Sequence, residues 1–152
     1  MVLVTTADWP SELFLWRLHQ DGSTWALIQT WSEPHARVGH VISSPASGPS
    51  GEHLFDHQGR FLRTFSKWPD DGLIPLPACG ASFLPGAANR LNVVANLAVQ
   101  VTIDVLTRPS PSATWNYTLN DVSDIASLGG HYEGPASPEV VRGMAGTLPW
   151  PT

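Results

Sequence analysis

The chain carries a single thiol, Cys79, in the segment Pro75-Leu-Pro-Ala-Cys-Gly-Ala-Ser-Phe-Leu-Pro-Gly86. A lone cysteine can form neither an internal disulfide nor a Cys-based zinc cage, so no structural zinc is expected. Two roles stay open to it. As a solvent-reachable thiolate it is a nucleophile. As a small apolar side chain it fills a core, since free Cys is among the most buried residue types. Asp8 is the second candidate. It lies just beyond the β-branched run Met1-Val-Leu-Val-Thr-Thr6, at the carboxyl end of the first strand. The carboxyl end of a strand is where ligands bind in open α/β sheets. The same residue type caps helix N-termini, so both roles are open. His53 and His57 have i,i+4 spacing with Asp56 between them. On a helix they could share a metal, but the helix pattern there is poor and Gly59 is close, so the spacing reads as coincidence. His35 and His40 flank Arg37 and read as a polar surface turn. No G-x-S-x-G elbow is present, so a serine hydrolase site is not pursued.

The elements that must hold these residues follow from the pattern. Residues 1–6 read as a buried strand. A helix then runs to about Gln20, opened by Asp8 with Pro10 at the first helical position, or by Ser11. Leu13, Trp16 and Phe14 supply its apolar side. Residues 24–31 form a second strand. The connection is about the minimum for a parallel crossover. Residues 32–39 read as a bend, His40 to Ser44 as a short strand, and 45–51 as a Ser/Pro/Gly loop. Residues 52–74 hold short strands or coil around Leu54-Phe55 and Phe61-Leu62. The Cys79 loop leads into a long helix over about 89–106, with Leu91, Val94, Ala98, Val101 and Val105 in one stripe. Val93, Leu97 and Leu106 widen the stripe, which predicts cover on more than one side. The remainder, 109–152, is Pro/Gly-rich with isolated aromatics, and reads as an irregular carboxyl-terminal extension packed on a unit of residues 1–108. The expected fold class is α/β: a partial Rossmann-like mixed sheet with one long covering helix.

Composition narrows the function classes. Apolar residues are 42% of the chain, enough for a packed core. Charged residues are only 14%, and seven residues are Trp. Both favour surface covered by a partner, because Trp is enriched at interfaces. The net charge is −5, with no run of Lys or Arg, so no nucleic-acid partner is expected. No apolar stretch is long enough to span a membrane, and no secretory signal opens the chain. A single cysteine without such a signal fits a reducing cytoplasm.

Three passages, Val2-Leu-Val-Thr-Thr-Ala-Asp8, Ala26-Leu-Ile-Gln-Thr-Trp-Ser-Glu-Pro-His-Ala-Arg-Val-Gly-His-Val41, and Cys79-Gly80 with the following helix, occur in an order that resembles the carboxyl-terminal half of a ThiF/MoeB-type domain. This is the adenylating fold of ubiquitin-activating enzymes and their bacterial relatives. The first passage resembles the family strand ending in an (A/C)TD turn. The second resembles the next strand and its glycine-marked turn, in the form of the bacterial branch. The likeness covers about residues 1–108.

The resemblance implies that Asp8 helps hold Mg²⁺ beside ATP, and that Cys79 forms a thioester with the carboxyl terminus of a ubiquitin-like or sulfur-carrier protein. The family's Gly-rich phosphate turn and its nucleotide-contacting basic residues are absent, as are the paired CxxC zinc ligands of many relatives. The chain thus resembles half of an ATP-dependent activating enzyme, whether truncated, split or completed by another chain. ATP and Mg²⁺ are expected in the complete enzyme, not in this chain alone. A homo-oligomer, or a complex with a chain carrying the nucleotide-binding half, is expected. The alternative is a non-catalytic interaction module that keeps the same scaffold.

Overall fold

The computed structural model describes residues 1–5, 9–72, 74–75, 82–83, 86–108, 110–135 and 144–150. Strand β1 (Val2–Thr5) leads to helix α1 (Trp9–Gln20), and the chain returns in β2 (Ala26–Ser32). β1 and β2 are parallel, with Val2 beside Ala26 and Thr5 beside Gln29. The short strand–helix–strand crossover expected over 1–31 is present. Pro10 takes the second helical position, where no intrahelical N–H bond is lost.

A tight turn reverses β2 into β3 (Val38–Pro45), which is longer than the strand expected over 40–44. Two-residue pieces follow: β4 (Ser66–Lys67), β5 (Ile74–Pro75) and β6 (Ser82–Phe83). Helix α2 (Ala88–Thr107) precedes β7 (Thr114–Leu119), β8 (His131–Tyr132) and β9 (Met144–Leu148). The main sheet has the order β1-β2-β3-β7-β9. Only β1 and β2 run parallel; β2, β3, β7 and β9 are successively antiparallel. The sheet is therefore mixed, as expected, but chiefly antiparallel. One expectation is corrected here. Residues 109–152 are not simply irregular chain: β7 lies inside the sheet and β9 flanks it. The alternation Trp115, Tyr117, Leu119 is a strand signal that the surrounding Pro and Gly obscure.

The pleat sends alternate side chains to two cores. Trp16 of α1 packs with Leu27, Ile42 and Trp115 on one face. Ala26, Ile28 and Val41 meet Ala98, Val101 and Val105 of α2 on the other. Four of the five stripe positions on α2 are buried. Leu91, Val93 and Leu106 are exposed, so α2 is covered along one side only. Its closest approach depends on Gly39 of β3, where any Cβ would collide with Val94 and with the Thr118 hydroxyl. Among the described residues no helix is long and apolar enough to cross a membrane.

Candidate functional site

The polar centre of the molecule is Glu33, at the start of the turn between β2 and β3. The residue is 4% exposed, and its carboxylate is fully occupied. Oε1 accepts from His40 Nε2 at 2.7 Å and from the Phe65 N–H at 2.7 Å. Oε2 accepts the Ser66 N–H at 2.8 Å and the Ser66 hydroxyl. A buried carboxylate is tolerated only when its lone pairs are met in this way. The network continues in both directions. Trp68 Nε1 donates to Ser66 Oγ at 2.7 Å, and Trp115 Nε1 donates to His40 Nδ1 at 3.2 Å. An indole nitrogen can only donate. His40 Nδ1 must therefore accept, which assigns the ring proton to Nε2, facing Glu33. The imidazole is wholly buried and lies within ring contact of Trp31, Phe61, Phe65 and Trp115.

The turn after Glu33 is itself unusual. His35 and Ala36 both have positive φ, 60° and 51°, a conformation that costs a residue bearing a Cβ about 1–2 kcal/mol. It is held from both sides. The Ala36 N–H donates to the Glu33 carbonyl at 3.0 Å, and Asn120 Nδ2 donates to the Ala36 carbonyl at 3.2 Å. The His35 ring packs on Trp68 at 4.5 Å. Partial burial, then the charges of Arg37 and Arg90, lower the His35 pKa.

Glu33 fixes one wall of a cavity of about 580 Å³, within the range of ordinary ligand sites. The cavity opens where the parallel strands end. β2 contributes the consecutive positions Gln29 to Ser32, and α1 contributes Trp9 and Glu12. The opposite wall is the 55–71 loop, whose Phe55 and Phe61 pack edge-on against Trp31 at 5.1 and 4.7 Å. Gly59 has φ +79°, and a Cβ there would strike the Trp9 ring. At the rim Arg60 pairs with Asp71 at 2.8 Å.

The cavity's depth is polar but largely committed. Gln29 Oε1 accepts from Trp16 Nε1 at 2.9 Å, and Glu33 is filled as above. Trp31 Nε1 is buried and meets no hydrogen-bond partner among the described residues. The peptide groups of β2 follow the ladder. The Glu33 N–H donates to the Val38 carbonyl at 2.8 Å, so Glu33 and Val38 form a hydrogen-bonded pair. Such pairs alternate along an antiparallel ladder. Trp31, opposite His40, therefore bonds to β3, while Thr30 and Ser32 turn their peptide groups the other way. On that side the described part of β1 pairs as far as Thr5 and Gln29, a register that sets the Thr30 N–H against the Thr5 carbonyl.

The residues singled out in the sequence fare differently. Asp8 and Cys79 lie outside the described residues. Asp8 falls in the connection between β1 and α1, one position before Trp9 of the cavity wall. Cys79 falls between β5 and β6, which pair through Ile74 and Phe83. His53 sits in a single 3-10 turn, Glu52–Leu54, and Asp56 follows in extended chain and turn, so His53 and His57 share no helix face. Asp56 instead receives the N–H groups of Gln58 and Arg60 at 2.8 and 2.9 Å, and these bonds, that to Arg60 foremost, lower its pKa. The reading of His40 as surface is corrected: it is the buried core of the network. Glu33, Trp31 and Ser66 were not singled out. The one local signal was Glu33 seven residues before His40; the partners at 65 and 66 are over thirty positions away. No family model matches the chain, and a search of curated proteins finds no match.

Proposed function

We propose that this chain is a component of an enzyme that uses ATP and Mg²⁺ to adenylate and activate a ubiquitin-like or sulfur-carrier protein. The observation that supports this is a ligand-sized cavity at the carboxyl end of β2, the strand that runs parallel to β1, lined also by Trp9, the residue that follows Asp8 in the sequence. Open α/β sheets bind ligands at this position. The strand–helix–strand order is also what a Rossmann-like half would contribute. In this reading the carrier's terminal carboxylate attacks the α-phosphate of ATP and pyrophosphate leaves. The Cys79 thiolate then displaces AMP to form the thioester. Asp8 holds the Mg²⁺ that offsets phosphate charge. The phosphate-binding turn comes from a partner.

The test uses the tagged chain purified from its native cells together with the proteins that bind it. On adding ATP, a covalent adduct cleaved by thiol reagents is expected on Cys79. Cys79→Ala abolishes it, and Cys79→Ser leaves a thiol-resistant oxyester. No ATP-dependent adduct on the wild-type chain would remove the thioester step.

A scaffold role is the second reading. The exposed apolar side of α2, with Leu91, Val99, Ile103 and Leu106, favours it because such surface is usually partner-covered. It predicts association without any nucleotide dependence.

A further inference from the structure

We infer that the cavity beside Glu33 binds an organic cation: a quaternary ammonium group on a small organic body. This goes beyond the adenylating reading and stands without it, because it rests on the walls and the charge of the cavity.

Three observations converge. First, the walls are aromatic. Trp9, Phe55, Phe61 and Trp31 all line the cavity and form one chain of rings, with neighbouring centroids 4.9, 5.6 and 4.7 Å apart. A ring attracts a cation held within about 6 Å of its centroid, and aromatic cages recognise quaternary ammonium groups in this way. The volume of about 580 Å³ holds such a group together with a small organic body. Second, the interior is negative. Glu12 and Glu33 line the cavity and are 3% and 4% exposed, and Asp56 adds another carboxylate. His40, bonded to Glu33, brings no positive charge, because its Nδ1 accepts from Trp115 Nε1. Among the described residues the basic side chains that line the cavity are Arg60 and Lys67. Both are exposed, and Arg60 pairs with Asp71 at 2.8 Å. Charge of one sign in a cleft with low-dielectric walls draws a counter-ion, and this attraction needs no open valence on either glutamate. Third, the depth has few acceptors left for a ligand N–H. Both Glu33 oxygens are filled, and Gln29 Oε1 accepts from Trp16 Nε1 at 2.9 Å. A primary ammonium brings three N–H donors that burial would leave unmet at a cost. A quaternary ammonium brings none. Charge and walls together select the methylated cation.

Three substitutions separate charge from shape. Glu12→Gln keeps the volume and removes a buried negative charge. Phe55→Leu keeps an apolar wall and removes a ring. Arg60→Gln removes a positive charge at the rim and releases Asp71, so it acts in the opposite sense. Far-ultraviolet circular dichroism verifies that each variant is folded.

The experiment titrates the full chain, without nucleotide, with choline and phenyltrimethylammonium, and reads binding by saturation-transfer NMR of the ligand methyl signals and by calorimetry. Two comparison compounds are the neutral isostere of choline, 3,3-dimethylbutan-1-ol, and its primary counterpart, ethanolamine. Both quaternary cations should bind saturably, and choline at least tenfold more tightly than either comparison compound. Glu12→Gln and Phe55→Leu should each weaken choline at least fivefold, while Arg60→Gln should not weaken it. Absence of saturable binding of both cations to the wild-type chain overturns the inference. So does a neutral isostere that binds as tightly as choline, which would leave only an apolar pocket, or ethanolamine that does, which would remove the selection for methyl groups. These comparisons use the wild-type chain and do not depend on how any variant folds.

Discussion

One carboxylate oxygen of Glu33 accepts both the N–H and the hydroxyl of Ser66, thirty-three positions along the chain. The turn after β2 and the loop that walls the cavity are thereby one unit. The other oxygen ties the same unit to His40 in the sheet and to the Phe65 N–H.

Removing that carboxylate should loosen the wall and destabilise the fold. Glu33→Ala strands two buried backbone donors and the His40 N–H, at about 1–3 kcal/mol each, so a loss of at least about 3 kcal/mol is expected. Glu33→Gln keeps the volume but turns an amide NH₂ toward donors, and should lose about 2–3 kcal/mol. Urea denaturation measures both. A loss below about 1 kcal/mol for the alanine variant would show that the network is dispensable.

Gly39 should resist the smallest enlargement. A methyl group there meets Val94 of α2 and the Thr118 hydroxyl. Gly39→Ala is expected to cost about 1–3 kcal/mol by overpacking, and the double variant Gly39→Ala/Val94→Ala should recover part of it. Strict additivity of the two losses would contradict the contact.

Stability should fall in mild acid through His19. This ring is buried, with Nδ1 2.5 Å from Thr24 Oγ1, and burial lowers its pKa against the opposing effect of a hydrogen bond to the Pro45 carbonyl. The unfolded chain takes up its proton near the usual value of about 6.5 while the folded ring stays neutral. The unfolded state then binds more protons, so stability declines as pH drops below about 6.5 and levels off beneath the folded pKa. His19→Gln should flatten that decline in denaturation midpoints taken from pH 8 to 5. An unchanged slope would assign the acid sensitivity to other groups.

The isolated chain should show no useful ATP affinity. No glycine-rich turn between a strand and a helix is available to cradle phosphate, and Asp8 adds negative charge. Calorimetry with ATP and Mg²⁺ should register no binding. Micromolar affinity would mean that the chain carries a nucleotide site of its own.

Much of the scaffold was legible because its signals are local. The run Val2 to Thr5, the turn chemistry before α1 and the β-branched segment from Ala26 specify a parallel crossover within thirty-two residues. The 3.6-residue stripe of α2 names four side chains that are buried. What was hidden depends on distance in sequence. Thr114 to Leu119 sits among Pro and Gly that suggest irregular chain, and only pairing with β3 and β9 makes it an interior strand. His40 looked like a surface histidine because Glu33, Phe65 and Trp115 enclose it from three separate segments. The cavity was hidden for the same reason: its walls come from β2, α1 and a loop whose residues carry little periodicity.

ATP–pyrophosphate exchange by the complex purified from native cells tests the proposed adenylating function most directly. Exchange of labelled pyrophosphate into ATP is expected when the carrier protein is present, because formation of the acyl adenylate is reversible. Asp8→Ala should reduce it at least a hundredfold, about 2.7 kcal/mol in the barrier, while Cys79→Ser, at the residue proposed to act after adenylation, should leave it intact. Exchange that is absent from the wild-type complex, or that survives Asp8→Ala unchanged, would contradict an adenylating role for this chain.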